Sequence, residues 1–390
     1  MANREFHALR QHLENDVRPP PFAVIRSRQL WRTRMLAMTG VALAVVAVTV
    51  WSMGRPTQNL NGPTIGTSPT VGPTSTLGPT DPIFPFESSF DYPADVVVPD
   101  TAAPLLPTDR GVGKVSFVFA NAQLAGEYVV MRDGRQFRVD PAGGISITLS
   151  PDGRWLSLAT DGVFSLRDLT GTTRRATGIM DKAWSADGRY LLGRNQSGYA
   201  VLDTRTWSLR TLPGGRDQYA FGVLDTGHVV VLDGEAAADH VPIKVINVTD
   251  GSTVQSFTLS AAGQLRAGET LTKAGGEFGV DLVDLRIAGG YGVVRIQHEA
   301  RQNAGYLVFS TEDGRVLRRI ELPSRVPTGW LLTGTRLTAI DSNISQAPQL
   351  NSGPDFVVAI DLRDGHFSTL SRIHAPADSG YLLPGTFQPD

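Results

Sequence analysis

The segments LSPDGRWL (residues 149–156) and WSADGRYL (residues 184–191) are two copies of one turn, placed 35 residues apart. In each copy an Asp-Gly pair stands between residues that favour β-strands. The Asp side chain accepts a hydrogen bond from the backbone two residues on, and the Gly adopts the positive φ that a tight reversal needs. The repeat therefore predicts β-hairpins that occupy equivalent places in successive units of an all-β domain.

Eight residues of these turns are candidate site residues, and we expect them to stabilise the fold rather than to bind a ligand. The two Asp side chains would bond the local backbone, and the two aromatic residues would begin the next strand and pack between units. The alternative is that the carboxylates bind a metal ion or a substrate. The eight residues are Ser150, Asp152, Gly153, Trp155, Ser185, Asp187, Gly188 and Tyr190.

Short strand-like runs surround these turns from about residue 113 onward, and no comparable amphipathic helix interrupts them. A second element also recurs, in which a strand is followed by an Asp- or Gly-containing turn and a polar strand. It has five copies: RDLTGTTRRA (167–176), LDTRTWSLRTL (202–212), INVTDGSTVQSFTL (246–259), FSTEDGRVLRRIEL (309–322) and IDLRDGHFSTL (360–370). Each unit then holds three inner strands and one polar outer strand. Residues 113–390 are thus predicted to form a β-propeller of about six to seven four-stranded blades.

The matched turns resemble the WSPDG-type turn of TolB-like and WD-repeat-like β-propellers, a resemblance that covers roughly residues 113–390. Ala186 replaces the Pro in the second copy, and later units keep the strand–turn–strand rhythm without the signature. The overall plan also resembles uncharacterised single-pass membrane proteins of actinobacteria. These families imply binding rather than a specific reaction.

The most apolar stretch of the chain, MLAMTGVALAVVAVTVWSM (35–53), contains no charged residue. As a helix it would be about 28 Å long, which is enough to cross a bilayer. Residues 1–34 contain seven Arg and three acidic residues, whereas residues 56–109 contain no Lys or Arg. We therefore expect a transmembrane helix, a short cytoplasmic segment at 1–34 and an extracytoplasmic remainder. A cleaved signal peptide is the alternative, although its charged region would be unusually long.

Two further features belong to this N-terminal part. Residues 4–17 have apolar side chains at helical spacing, either as a docking helix for a cytoplasmic partner or as a segment held near anionic lipid by its arginines. Gly40 and Ala44 form one small-xxx-small pair, which would allow weak helix-mediated self-association.

Residues 54–112 are rich in Pro, Thr and Gly and are expected to form a largely disordered linker. Within it, residues 83–108 add aromatic and β-branched residues. We expect this part to pack along the folded domain, with a site for a peptide-like partner as the alternative.

Charge and composition exclude several functions. Residues 56–390 carry 28 basic and 35 acidic residues, and this net negative charge argues against nucleic-acid binding. The chain has no Cys, so it has no disulfide and no Cys-based metal site.

No catalytic motif is recognisable, and we predict no enzyme activity, cofactor or metal. Weaker candidates for a catalytic or metal-binding role are Asp281 with Asp284, as acid–base partners or Ca²⁺ ligands, Asp239 beside His240, and the turn residues His228 and His366. Each is better explained as a solvated strand, loop or turn residue.

Three long irregular segments remain as candidate binding loops: 234–242, 260–281 and 342–355. The second is either a loop insertion or a degenerate pair of blades.

The favoured function is a membrane-anchored, non-catalytic binding or scaffolding module for an envelope protein or peptide. The alternatives are an anti-sigma-like transmembrane regulator that signals through residues 1–34, and an envelope enzyme that uses a propeller face.

Overall fold

The computed structural model describes residues 84–99, 102–121, 126–140, 145–160, 162–214, 219–271, 283–298, 301–321, 326–342, 354–376 and 379–385. The predicted transmembrane helix at 35–53, the cytoplasmic segment and the linker up to residue 83 lie outside these residues. Among the described residues, no helix has the length and apolar character that crossing a membrane requires.

The described part of the chain folds into short strands, most of them joined by tight turns. In chain order they are β1 (Asp95–Val97), β2 (Val115–Asn121), β3 (Glu127–Met131), β4 (Gln136–Arg138), β5 (Ile145–Leu149), β6 (Trp155–Thr160), β7 (Val163–Asp168), β8 (Arg174–Ala176), β9 (Met180–Trp184), β10 (Tyr190–Asn195), β11 (Gly198–Asp203), β12 (Ser208–Thr211), β13 (Ala220–Val223), β14 (Val229–Leu232), β15 (His240–Ile246), β16 (Thr253–Ser260), β17 (Glu269–Thr270), β18 (Leu285–Ala288), β19 (Tyr291–His298), β20 (Arg301–Ser310), β21 (Val316–Ile320), β22 (Val326–Thr333), β23 (Arg336–Ser342), β24 (Asp355–Asp361), β25 (Phe367–His374) and β26 (Ser379–Leu382).

These strands pair into six sheets that form the blades of a propeller, which confirms the predicted all-β fold and sets the blade number at six. In pairing order, blade 1 is β26-β2-β3-β4, blade 2 is β5-β6-β7-β8, blade 3 is β9-β10-β11-β12, blade 4 is β13-β14-β15-β16, blade 5 is β17/β18-β19-β20-β21 and blade 6 is β22-β23-β24-β25-β1. The C-terminal strand β26 fills the first position of blade 1 and so closes the ring.

The segment 260–281 proves to be an insertion rather than a pair of blades. Both β17 and β18 pair with the same edge of β19, with Glu269 opposite His298 and Leu285 opposite Val294. The first strand of blade 5 is therefore divided into β17 and β18, which pair with successive parts of β19.

The core consists of one hydrophobic cluster between each pair of neighbouring blades. Burial of apolar side chains on both faces of a blade is what holds such a ring together. Between blades 1 and 6, for example, Phe117 and Phe119 pack with Val357 and Ile373, and all four side chains are fully buried.

The segment before β2 packs along the propeller. Strand β1 adds a fifth, parallel strand to blade 6, with Val96 opposite Ile373. Further on, the Leu106 amide donates to the Arg138 carbonyl of blade 1, and the Val112 amide donates to the Leu169 carbonyl of blade 2. The described residues between 84 and 112 thus belong to the folded domain rather than to a free spacer.

Candidate functional site

The two ends of the propeller differ in their connections. Because neighbouring strands within a blade are antiparallel, the turn between its first and second strands lies at the same end as the turn between its third and fourth. We call this end the turn face. The remaining connections lie at the opposite end, which we call the loop face.

The matched turn of blade 2 lies on the turn face and is organised by Ser150. Its Oγ accepts a hydrogen bond from the Trp155 amide at 2.8 Å and donates one to Asp152 Oδ1 at 2.7 Å. Asp152 Oδ1 also accepts from the Arg154 amide at 3.1 Å. Gly153 has φ 72°, and a Cβ there would lie 2.2 Å from the Val115 carbonyl oxygen, so only glycine fits.

The turn of blade 3 repeats this geometry. Ser185 Oγ accepts from the Tyr190 amide at 2.9 Å and donates to Asp187 Oδ1 at 2.7 Å, while Gly188 has φ 71°. One contact has no counterpart in blade 2: the Asp187 amide donates to Asp225 Oδ1 of blade 4 at 2.8 Å. Burial first, and then the Asp187 carboxylate, raises the pKa of Asp225.

The aromatic residues of the two turns pack against the following blade. The Trp155 ring lies 5.8 Å from that of Trp207 in blade 3, within the cluster between blades 2 and 3. Tyr190 packs on the cluster between blades 3 and 4, and a Cβ at Gly227 would lie 3.1 Å from its ring. All eight turn residues therefore have structural contacts that account for them.

One structural signal in these repeats is absent from the sequence predictions. In both matched turns the Arg that follows the Asp-Gly pair forms an ion pair with an Asp 14 residues later. Arg154 Nη2 lies 2.6 Å from Asp168, and Arg189 Nη2 lies 2.8 Å from Asp203. Burial acts to raise the pKa of Asp168, but the hydrogen bonds from Arg154 and Thr170 outweigh it and lower the pKa. The equal spacing of the two pairs is visible in the sequence and was the available clue.

All three long segments depart from the loop face. Residues 234–242 connect β14 to β15, residues 260–281 lead from β16 into blade 5, and residues 342–355 connect β23 to β24. The parts at 272–281 and 343–353 lie outside the described residues. The described ends of the three segments therefore lie at the loop face of blades 4, 5 and 6.

Two of these loops are joined to each other; we call residues 234–242 and 260–271 the loop platform. The Ala261 amide donates to the Asp239 carbonyl at 2.7 Å, and the Leu271 amide donates to the Ala238 carbonyl at 2.8 Å. These backbone hydrogen bonds hold the described start of the insertion against the loop of blade 4.

An ion-pair network then fixes the platform to blade 5. Arg319 of β21 makes two hydrogen bonds of 2.8 Å to Glu269, whose side chain is 5% exposed. Glu321 pairs with both Arg319 and Arg266. The hydrogen bonds from Arg319 are the main reason why the pKa of Glu269 falls to about 2. A bidentate, nearly buried pair of this kind gives the platform a defined position.

A group of aromatic and charged side chains lies near the channel in blades 4, 5 and 6; we call Tyr219, Asp284, Arg286 and Trp330 the mouth cluster. The Trp330 indole donates to Asp284 Oδ2 at 2.9 Å, and the Arg286 guanidinium lies 5.5 Å from the centre of the Trp330 ring. Burial, followed by nearby Tyr199, raises the pKa of Tyr219, and the charges of Arg286 and Asp284 also act on it.

A cavity of about 30 Å³ lies among β9, β13 and β18, lined by residues that include Phe221, Leu285 and Arg286. That volume accommodates a water or two rather than a side chain. Trp330 is only 5% exposed and belongs to the core between blades 5 and 6, and Arg286 stands opposite Val293, near the turn-face end of β19. The exposed part of the loop face is therefore the platform.

The other chemical candidates stay apart. Asp281 lies outside the described residues, and Asp284 is occupied by Trp330 and by Arg295 at 3.5 Å. Asp239 and His240 lie 3.2 Å apart, and both side chains are more than half exposed. Within the described ranges, no three His, Cys, Asp or Glu side chains converge as a metal site.

No protein-family model matches the chain, and no curated protein sequence matches it. Among solved structures, the chain is similar to a putative TolB from Agrobacterium tumefaciens, with 14% identity and a TM-score of 0.33 over 72% of this chain and 100% of that one.

Two further solved structures are similar at the same level. Kuenenia stuttgartiensis hydrazine synthase has 17% identity and a TM-score of 0.35, over 59% of this chain and 66% of that one. The Cps50 (Swd1) β-propeller domain of Myceliophteria thermophila has 12% identity and a TM-score of 0.32, over 60% and 87% of the two chains. These identities concern the fold alone. By its blades, the chain is a six-bladed β-propeller.

Proposed function

We propose that the protein is a non-catalytic binding module that holds an envelope protein or peptide on its loop face, over blades 4–6. The observation that carries this proposal is the fixed position of the loop platform. Two backbone hydrogen bonds join its two segments to each other, and the Glu269–Arg319 ion pair joins it to β21 of blade 5. A surface that is ordered before binding loses less conformational entropy when a partner arrives.

One residue of the mouth cluster adds to this face. The Tyr219 carbonyl accepts a hydrogen bond from the Leu232 amide at the loop-face end of blade 4, and the Tyr219 side chain is partly exposed. Tyr is among the residues that most often dominate the binding energy of protein interfaces. By contrast, the polar side chains of the matched turns are used by the fold itself.

The proposal includes a location. The uncharged run at 35–53 and the excess of Arg in residues 1–34 support a single-pass anchor with the propeller outside the cytoplasmic membrane. The partner would then be another component of the cell envelope.

A pair of arginine variants tests the binding surface. Arg266→Ala removes an exposed arginine from the loop platform, and Arg205→Ala removes an exposed arginine from the turn face. Affinity purification of the full chain after crosslinking in intact cells should show a partner that is lost with Arg266→Ala and retained with Arg205→Ala. Equal retention by both variants, with both folded, would contradict the assignment of the loop face.

Assays of the full chain against glycans, peptides and esters test the proposal that the protein is not an enzyme, and turnover of any of these substrates would contradict it.

A further inference from the structure

One position of the blade repeat departs from its own pattern. In five blades the residue at the end of the third strand, or directly after it, has a side-chain oxygen that accepts a hydrogen bond from the backbone amide two residues on, at 2.9–3.1 Å. These turn residues are Asp168, Asp203, Asn247, Ser310 and Asp361. Because each of these residues accepts the same hydrogen bond from the amide two residues on, they mark the equivalent position in all five blades.

The residue directly before each of these turn residues is buried, and in four of the five blades it is a large apolar side chain. The four are Leu202, Ile246, Phe309 and Ile360, each 3% exposed or less. In blade 2 the same position is Arg167, which is only 8% exposed. An arginine has thus taken the place of a core residue.

The pairing of β7 shows where this arginine lies. Arg167 stands opposite Leu156 of β6 and opposite Arg174 of β8. Side chains of directly opposed residues share a face of the sheet. Because Leu156 belongs to the hydrophobic cluster between blades 1 and 2, Arg167 is on the face that packs against blade 1.

No counter-charge accompanies Arg167 in the described residues. Its Nη2 is buried without a hydrogen-bond partner, and no described carboxylate lies within ion-pair distance. Burial, followed by the neighbouring charge of Arg174, lowers the pKa of Arg167. Removing one partner of a buried ion pair leaves a charge whose desolvation is not compensated, and this is strongly destabilising. A charged residue is therefore expected here only if something neutralises it.

The geometry points to a small oxyanion as the missing partner. We propose that Arg167 is the anchor of an oxyanion-binding site between blades 1 and 2, and that Arg174 adds a second positive charge. The guanidinium fork binds carboxylate or phosphate oxygens through paired hydrogen bonds, which suits this role. Arg174 is held in place by its hydrogen bonds to Ser165 Oγ at 3.0 Å and to Thr160 Oγ1 at 3.1 Å.

The blade repeat supplies the variant that tests this site. Arg167→Leu introduces the residue that blade 3 has at the equivalent position, so the variant should fold and should unfold at the same temperature as the parent or higher. Thermal unfolding of the full chain is measured in sodium phosphate, sodium acetate and sodium chloride at equal ionic strength. We expect saturating oxyanion to raise the midpoint of the parent by about 5 °C over chloride, and to leave that of Arg167→Leu unchanged.

The two oxyanions and a control arginine complete the design. A shift with phosphate alone indicates a phosphoryl ligand, and a shift with acetate as well indicates a carboxylate. Arg175→Leu changes an exposed arginine on the same strand as Arg174 and should keep the shift. An equal shift in the parent and in Arg167→Leu, or no shift of the parent in either oxyanion, would overturn the proposal.

Discussion

Single hydroxyl groups organise the matched turns, but the charge beside each Asp has the opposite sign. Asp152 lies 3.4 Å from Lys114, whereas Asp187 lies beside Asp225. Within its own turn each carboxylate accepts one hydrogen bond from the Ser hydroxyl and one from the Arg amide, and these partly exposed contacts together contribute about 1 kcal/mol to stability. The replacement of either by Ala should therefore destabilise the fold, but to different extents.

We predict that Asp152→Ala lowers the free energy of unfolding by about 1 kcal/mol or slightly more, because it removes the turn contacts and an attractive charge. Asp187→Ala should cost less, because it also removes repulsion from Asp225. Urea unfolding at pH 7 measures the difference. Neither variant should weaken partner binding, and a folded variant with unchanged stability and lost binding would show that these turns bind a ligand.

At the scale of elements, the attachment of the loop platform depends on pH through Glu269. Its pKa is about 2 in the folded chain against an ordinary value of 4.5. A carboxyl group whose pKa is lowered by folding stabilises the fold above its unfolded pKa, and this stabilisation is lost as the pH falls through the folded value. The stabilisation is thus complete above about pH 5 and decreases between pH 4.5 and 2.

We therefore predict that stability falls more steeply with acidification in the parent chain than in Glu269→Gln. Denaturant unfolding at intervals from pH 6 to pH 3 measures the two slopes. At pH 6 the variant should be the less stable of the two, since a neutral amide cannot replace the bidentate ion pair with Arg319. Parallel pH curves for the two chains would show that this pair does not fix the platform.

How far the sequence predicts an element depends on whether its cause is local. An Asp-Gly turn is determined by adjacent residues, so the hairpins of blades 2 and 3 were predictable. Blade 4 keeps the backbone geometry with other residues: the Gly227 amide donates to the Leu224 carbonyl, as the Gly188 amide does to that of Ser185, but the Ser and Asp of the signature are gone. Blades 5 and 6 instead join their first two strands by two-residue turns. The blade number therefore needed the structure.

The candidate site was less predictable than the fold. Tyr219, Arg286 and Trp330 are far apart in the chain, and only the order of blades around the ring brings them to one region. The three loop segments were recognisable by their length, but their shared face follows from strand direction rather than from composition. The Arg154–Asp168 and Arg189–Asp203 pairs were of intermediate predictability. Both pairs have the same spacing, and this becomes visible in the sequence once the two copies of the repeat are aligned.

At the scale of the whole molecule, the propeller is expected to stand outside the membrane on the linker that ends near residue 83. Protease added to intact cells should remove the chain beyond about residue 55 and leave a small membrane-held fragment, because residues 1–34 carry the cytoplasmic excess of arginine. Protection of the full chain in intact cells, with cleavage after lysis, would contradict this orientation.

The central claim is that one face of the propeller binds the partner. A photoreactive phenylalanine analogue placed at His240, on the platform, or at His366, in a turn-face turn of blade 6, compares the two faces with matched exposed histidine positions. In intact cells we predict a crosslinked product from position 240 that disappears in the Arg266→Ala background, and none from position 366. A product from position 366 alone, or one from position 240 that persists in the Arg266→Ala background, would contradict the account.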